Sequence, residues 1–215
     1  MVLTKMVLDP TKRRCAMALA SPNLLHGAIE DAFRSDSDGW SPERKLWRLD
    51  TLGGRPVLLL LSESRPDLTS AAEQFGADGK WESRSYDAFL SGIRTGDRRR
   101  FRLTANPVIA KKEETGKRGK VLSHVTVAQQ EKWLADRAAK NGFSLIEDEY
   151  TVTASRWVAF RKGSENGRQV SFHSVTFEGV LTVTDAEAFR KALCEGIGRE
   201  KAYGCGLLTV LGNEP

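Results

Sequence analysis

Three histidines, one glycine-rich run and one band of arginine and lysine are the parts of this sequence whose chemistry points somewhere. An unperturbed imidazole titrates at about 6.5, so His26, His124 and His173 are each candidates for moving a proton near neutrality. His26 lies beside an apolar stripe of Leu25, Ala28, Ile29, Ala32 and Phe33. At about 100° per residue it falls roughly 80–100° from the middle of that stripe. Such a ring sits on the edge of a buried face, one side held and the other open. His124 stands next to a helix start, and His173 lies in a strand pattern between Phe172 and Ser174. By spacing alone, all three could equally be boundary histidines without a task.

The glycine-rich run spans residues 196–206 and contains Gly196, Gly198, Gly204 and Gly206. Glycines let backbone N–H groups approach a phosphate without side-chain interference. Arg199 and Lys201 add charge to the same segment. It joins a helix to a following strand, unlike a P-loop or a dinucleotide-binding turn, which join a strand to a helix. A packing loop where helix meets sheet is an equally good reading. The acidic run Glu147-Asp148-Glu149 reads as a solvated face, and Cys15, Cys194 and Cys205 stand too far apart for a zinc pattern or a disulfide framework. No metal or cofactor is expected, and the cysteine usage suits a reducing cytoplasm.

The chain carries a net charge of +5 and a pI near 9.2. Between Arg94 and Lys120 stand ten basic residues against three acidic ones, a surplus of seven that leaves the remainder of the chain at −2. Arg98, Arg99, Arg100, Arg102, Lys111, Lys112, Lys117, Arg118 and Lys120 belong to this band. A mildly acidic protein with one basic band has the footprint of a polyanion site. Arg156, Arg161 and Lys162 add a second cationic group near a turn. Trp157 and Tyr203 are aromatics that could stack on an unpaired base, although a core role suits Trp157 better. No apolar run approaches the length of a membrane span, and Lys5 brings charge too early for a secretory signal.

These residues need elements to position them. Leu3–Leu8 reads as a strand, and Ser21-Pro22 opens the helix that carries His26. Lys45–Leu49 and Pro56–Leu61 form a hairpin around Gly53-Gly54, with a short helix at Asp67–Phe75 and a strand at Trp81–Phe89. After Gly96 the order repeats. A strand covers Arg100–Asn106, and a charged loop follows from Ala110 to Ser123. Thr126 and Gln129 form a capping box for a helix that ends at Asn141-Gly142. Strands at Tyr150–Phe160 and Val170–Val183 flank a polar turn. Thr184 with Glu187 opens a helix that stops at Gly196, and Leu207–Leu211 is the last strand. The chain therefore reads as an α+β protein of two tandem ferredoxin-like βαββαβ domains. The first, 1–93, carries the His26 helix. The second, 97–215, carries the basic loop and the glycine-rich loop.

Here a family resemblance enters. The run Gly196–Leu208, ending Gly204-Cys205-Gly206-Leu207-Leu208, resembles the C-terminal glycine-rich motif of the CasE family, the endoribonuclease subunit of the type I-E CRISPR complex Cascade. Leu3-Thr4-Lys5-Met6-Val7-Leu8, Phe101-Arg102-Leu103-Thr104-Ala105-Asn106-Pro107 and Phe177-Glu178-Gly179-Val180-Leu181 are similar to other strands of that family, in the same order over nearly the whole chain. The resemblance implies cleavage of CRISPR precursor RNA at a repeat hairpin without a metal. The 2′-hydroxyl attacks the adjacent phosphate, leaving a 2′,3′-cyclic phosphate and a 5′-hydroxyl. It implies retention of the mature guide hairpin and assembly with other Cascade subunits. It makes His26 the catalytic residue, with Asn23 and Lys201 as possible support. The family commonly has tyrosine where this chain has Asn23, and asparagine cannot exchange a proton at neutral pH. Two rivals follow: an RNA-hairpin-binding subunit with little or no catalysis, and a double-ferredoxin RNA-binding module outside CRISPR. Against the latter, the sequence shows no aromatic pair of the RRM type.

Overall fold

The computed structural model describes residues 1–34, 43–110, 121–162 and 167–213. In chain order the elements are β1 (Val2–Val7), α1 (Arg13–Ala20), α2 (Pro22–Asp31), β2 (Leu46–Leu52), β3 (Arg55–Ser62), α3 (Thr69–Phe75), β4 (Glu82–Ser85) and α4 (Asp87–Ser91). They continue as β5 (Arg98–Ala105), β6 (Val108–Ala110), β7 (Val121–Ser123), α5 (Val127–Ala138), β8 (Phe143–Arg161), β9 (Gln169–Val183), α6 (Ala186–Glu195) and β10 (Leu208–Asn213). Two four-stranded antiparallel sheets result, with strand orders β2-β3-β1-β4 and β10-β5-β9-β8. Both put the first and third strands of a βαββαβ unit at the centre, which is the ferredoxin-like arrangement in tandem.

Local chemistry explains the clearest boundaries. Pro22 occupies the first turn of α2, where its missing N–H is not needed. Gly53 and Gly54 both have positive φ, which lets a two-residue turn join Leu52 to its partner Arg55. Thr126 and Gln129 cap α5 reciprocally. At α6 the cap is Asp185, not Thr184: its carboxylate accepts from the N–H groups of Glu187 and Ala188. An acidic group one residue later meets the exposed amides and the positive end of the helix dipole together.

Three further differences from the sequence reading matter for the site. Helix α1 precedes α2. It is not expected from the sequence, and it buries only the small side chains of Cys15 and Ala18. The segment expected as a strand over Trp81–Phe89 divides into β4 and α4 at Tyr86. Strand β8 begins at Phe143 rather than Tyr150, and the acidic run Glu147-Asp148-Glu149 lies where its register with β9 shifts. Asp148 there has a φ of 67°.

Each sheet has its own core. Met6, Leu25, Ile29, Trp47, Leu58 and Leu60 fill the first, and Phe101, Leu103, Trp133, Phe143, Phe177 and Phe189 fill the second. Ile93, at the end of the first half, packs into the second core. A third cluster of Leu46, Leu61, Tyr86 and Leu207 seals the two halves together. Arg48 pins the same seam. Its guanidinium donates to the carbonyls of Arg102 and Leu207, both at 2.8 Å, to Thr209 Oγ1 at 2.7 Å, and to the Asp50 carboxylate. Burial pushes the Asp50 carboxyl up, but the bonds and charge of Arg48 and the charge of Arg102 outweigh it and leave it below the usual range.

Candidate active site and nucleic-acid interface

Helix α2 turns Leu25 and Ile29 into the first core and leaves His26 at its margin. The His26 side chain is 26% exposed, enough for one ring edge to reach solvent while the other is held. On the held side, Nδ1 is 3.8 Å from Oε1 of Glu30, one helical turn on. Glu30 Oε2 in turn accepts from Lys45 Nζ at 2.9 Å. The Tyr203 ring meets the imidazole edge-on, with centroids 5.8 Å apart. Thus the first half brings the histidine and the glycine-rich loop of the second half brings its aromatic neighbour.

That loop is packed tightly. Gly196, Gly198, Gly204 and Gly206 all have φ between 74° and 94°, where side chains are strained. A Cβ on Gly204 would lie 2.9 Å from the Trp47 ring, and one on Gly206 3.0 Å from Lys201 Cγ. Trp47 Nε1 also donates to the carbonyl of Ala202 at 3.2 Å. The glycines therefore serve close packing against the seam, and this packing carries Lys201 and Tyr203 to the His26 side. Burial of the neighbouring Cys205 pushes its thiol up to about 12, so it is no nucleophile.

His26 and Lys201 line one open cavity of about 970 Å³, together with Glu30, Arg44, Lys45 and Trp47. Burial lowers the basicity of His26; Glu30 raises it, and the charges of Lys162 and Lys45 lower it again, with the net below its ordinary value. Burial likewise lowers Lys201, helped by Arg44 and opposed by Glu195. Lys162, which follows β8, thus joins this site electrostatically. Asn23 does not. It lines a different cavity, between α1, α2 and α3, with Arg14, Gly27 and Asp31.

The other expected contacts divide. Arg156, Arg161, Lys162 and Arg199 are exposed, as are Arg98 and Arg100. Arg98 Nη2 donates to both carboxylate oxygens of Glu149, at 2.9 and 3.0 Å. Arg102 pairs with Glu178 and Asp50 at the seam. Arg99 is 6% exposed and bound to Asp97, so it is turned inward and offers nothing to a ligand on the surface. The alternation of a strand decides this: Arg99 shares its face with Phe101 and Leu103. Lys111, Lys112, Lys117, Arg118 and Lys120 lie outside the described residues. Their flanks are a hairpin rather than plain loop, since β6 pairs with β7 from Val108↔Ser123 to Ala110↔Val121.

His173 is 5% exposed, with Nε2 at 2.9 Å from Ser155 Oγ and Nδ1 at 3.1 Å from the carbonyl of His124. It is a structural residue at the foot of β7. Trp157 corrects the expectation of a core role. It is 59% exposed and stacks flat on His173, with centroids 4.9 Å apart and planes 10° apart. Among the described residues no His, Cys, Asp and Glu cluster could hold a metal ion. No described helix is long and apolar enough to cross a membrane.

A family model described as CRISPR associated protein matches residues 1–211. The CRISPR-associated endoribonuclease Cse3 of Thermus thermophilus is 34% identical over 98% of this chain and 99% of its own length. The chain belongs to the CasE/Cse3 family of CRISPR-associated proteins. The Cascade subunit CasE of Escherichia coli is 32% identical over a shorter stretch, 51% of this chain and 56% of that protein. A solved structure of Cse3 bound to a 19-nucleotide RNA superposes with a TM-score of 0.80 at 33% identity, covering 99% of this chain and all of the other. Family membership gives the tandem ferredoxin-like fold an independent footing. It leaves the roles of individual residues to be argued from their surroundings. Glu30, Lys45 and Tyr203 were not picked out from the sequence as partners of His26. The spacing of four between His26 and Glu30 was the available signal for the first. Nothing local announces Lys45 or Tyr203.

Proposed function

We propose that this chain is an endoribonuclease that cuts CRISPR precursor RNA at a repeat hairpin without a metal, and that it stays on the guide hairpin alongside other Cascade subunits. The carrying observation is a half-buried imidazole and a lysine, from the two halves of the chain, facing one open cavity. RNA cleavage of this kind needs a base for the 2′-hydroxyl, a proton for the leaving 5′-oxygen and positive charge for the phosphorane. His26 is the base. Its lowered proton affinity keeps it neutral near pH 7, ready to take the 2′-hydroxyl proton. The 2′-oxygen then bonds to phosphorus as the P–O5′ bond breaks, and the leaving 5′-oxygen takes a proton from the Lys201 ammonium, giving a 2′,3′-cyclic phosphate and a 5′-hydroxyl. Lys201 and Lys162 supply charge at the phosphate. Arg98, Arg100, Arg156, Arg161 and Arg199, with the basic residues of 111–120, track the stem's phosphates. Trp157 offers its open face to an unpaired base.

The test is incubation with repeat RNA in EDTA, wild type beside His26→Ala. Cutting that survives EDTA, and is lost in the variant while binding persists, supports the reading; inhibition by EDTA overturns its metal-free chemistry. A second reading has an observation of its own: Asn23 faces away from the His26 cavity. A binding subunit with little catalysis would hold the hairpin and leave it uncut with either form.

A further inference from the structure

We infer that Glu30, clamped by Lys45, is a positioning residue that fixes the working nitrogen of His26 as Nε2. The inference rests on the proposed role of His26 and adds to it.

The geometry begins with helical spacing. Residues four apart share a face, so α2 presents His26 and Glu30 together. Glu30 Oε1 lies 3.8 Å from Nδ1, an ion-pair distance rather than a hydrogen bond. A carboxylate at that nitrogen favours the tautomer with the proton on Nδ1, leaving the Nε2 lone pair for substrate. The attraction also strengthens as the ring becomes positive, which is the state a base reaches after taking a proton.

A glutamate alone would choose among many rotamers. Lys45, whose side chain is only 4% exposed, holds Oε2 at 2.9 Å. The ammonium also lies 5.0 Å above the Phe33 ring, so the lysine is anchored on two sides. The Tyr203 ring also meets the imidazole edge-on, with centroids 5.8 Å apart. The ring is therefore braced by α2, through Glu30 by Lys45 just before β2, and by the glycine-rich loop at once.

The charged groups around His26 pull in both directions. Glu30 favours its cationic form, while Lys45 and Lys162 oppose it. Glu43, Arg44, Glu63, Glu195 and Lys201 line the same cavity. Glu30 lies 3.8 Å from the ring and shares its helix. It therefore acts on His26 as a fixed charge, and Lys45 acts partly through it.

The test reads the ring directly. In the full chain, the His26 signal is identified by its loss in His26→Ala and titrated by NMR, with the nitrogen shifts reporting the tautomer. The expected result is a neutral ring protonated on Nδ1. Glu30→Gln should lower the His26 midpoint, and Lys45→Gln should raise it. The acid limb of the single-turnover pH–rate profile should move the same way in each variant. A purely structural brace would not shift the two midpoints in opposite directions. A neutral ring protonated on Nε2, or a midpoint unmoved in Glu30→Gln while its melting temperature is unchanged, overturns the inference. Retained cleavage in His26→Ala overturns the functional reading instead, and leaves the titration result standing by itself.

Discussion

His26 and His173 are the same side chain in two opposed settings. His173 is sealed between β8, β9 and the carbonyl of His124, and both of its nitrogens already have partners. His26 has a carboxylate at an ion-pair distance on one nitrogen, an aromatic edge beside it, and a cavity on the remaining side. A buried imidazole with satisfied nitrogens specifies structure. One with a single side held keeps a lone pair for a reaction. The difference lies in neighbours contributed by distant segments, and it assigns roles that residue type cannot.

The sharpest way to break this comparison is to remove each ring. His26→Ala should lower the single-turnover cleavage rate by about 10²–10⁴-fold with hairpin affinity retained. His173→Ala should leave the rate on bound RNA near wild type and cost about 1–3 kcal/mol of stability, read by denaturant unfolding, because it removes two hydrogen bonds of a buried ring and the stacking partner of Trp157. Equal effects on cleavage would erase the distinction.

A smaller perturbation moves the wall rather than the ring. Gly204→Ala places a methyl 2.9 Å from Trp47 at a φ of 82°. It should cost about 1–3 kcal/mol and slow cleavage, by displacing Tyr203 from His26. Varying pH sharpens the contrast further. Under the base role proposed for His26, the rate should fall as pH drops through its midpoint. Burial holds that midpoint below the ordinary histidine value, so cutting should persist into mildly acidic buffer. A rate that climbs with acidification would make the ring an acid instead.

The binding face gives the mildest effects. With about six phosphate contacts, log affinity should fall against log salt with a slope of about −4 to −5, and Arg161→Ala should reduce that slope by about one. Trp157→Ala should weaken binding by about 1–3 kcal/mol for hairpins carrying an unpaired base, with the salt slope unchanged. An altered slope would mean that the indole acts by placing charges.

Much of this was legible in the chain. Ser21-Pro22 marks the start of α2, Gly53-Gly54 the first hairpin, and Thr126 with Gln129 the start of α5, because each is a local device with a local cause. Repetition of the βαββαβ order then yields the fold. What escaped was non-local. Helix α1, held by Cys15 and Ala18 against the first core, escapes because it follows the Asp9-Pro10 break and carries few large apolar residues. Trp157 looked like core, yet the alternation of β8 buries Val158 and Phe160 and leaves Trp157 on the other face. Arg99 looked like part of a cationic band until strand geometry turned it toward Asp97. His26 was legible as an edge residue. Its brace was not, because Lys45 belongs to β2's approach and Tyr203 to a loop near the far end of the chain.

Arg48 has a consequence beyond holding two sheets together. One guanidinium ties β2 to β5 and β10, and the histidine and the tyrosine that meet at the cavity stand on opposite sides of that tie. Under the proposed role of His26, reactivity is conditional on docking between the halves, as in a tool whose jaws cut only while the rivet is tight. Anything that levers the halves apart, whether a subunit pressing on one sheet or a lesion at residue 48, would silence the chemistry while leaving each jaw intact.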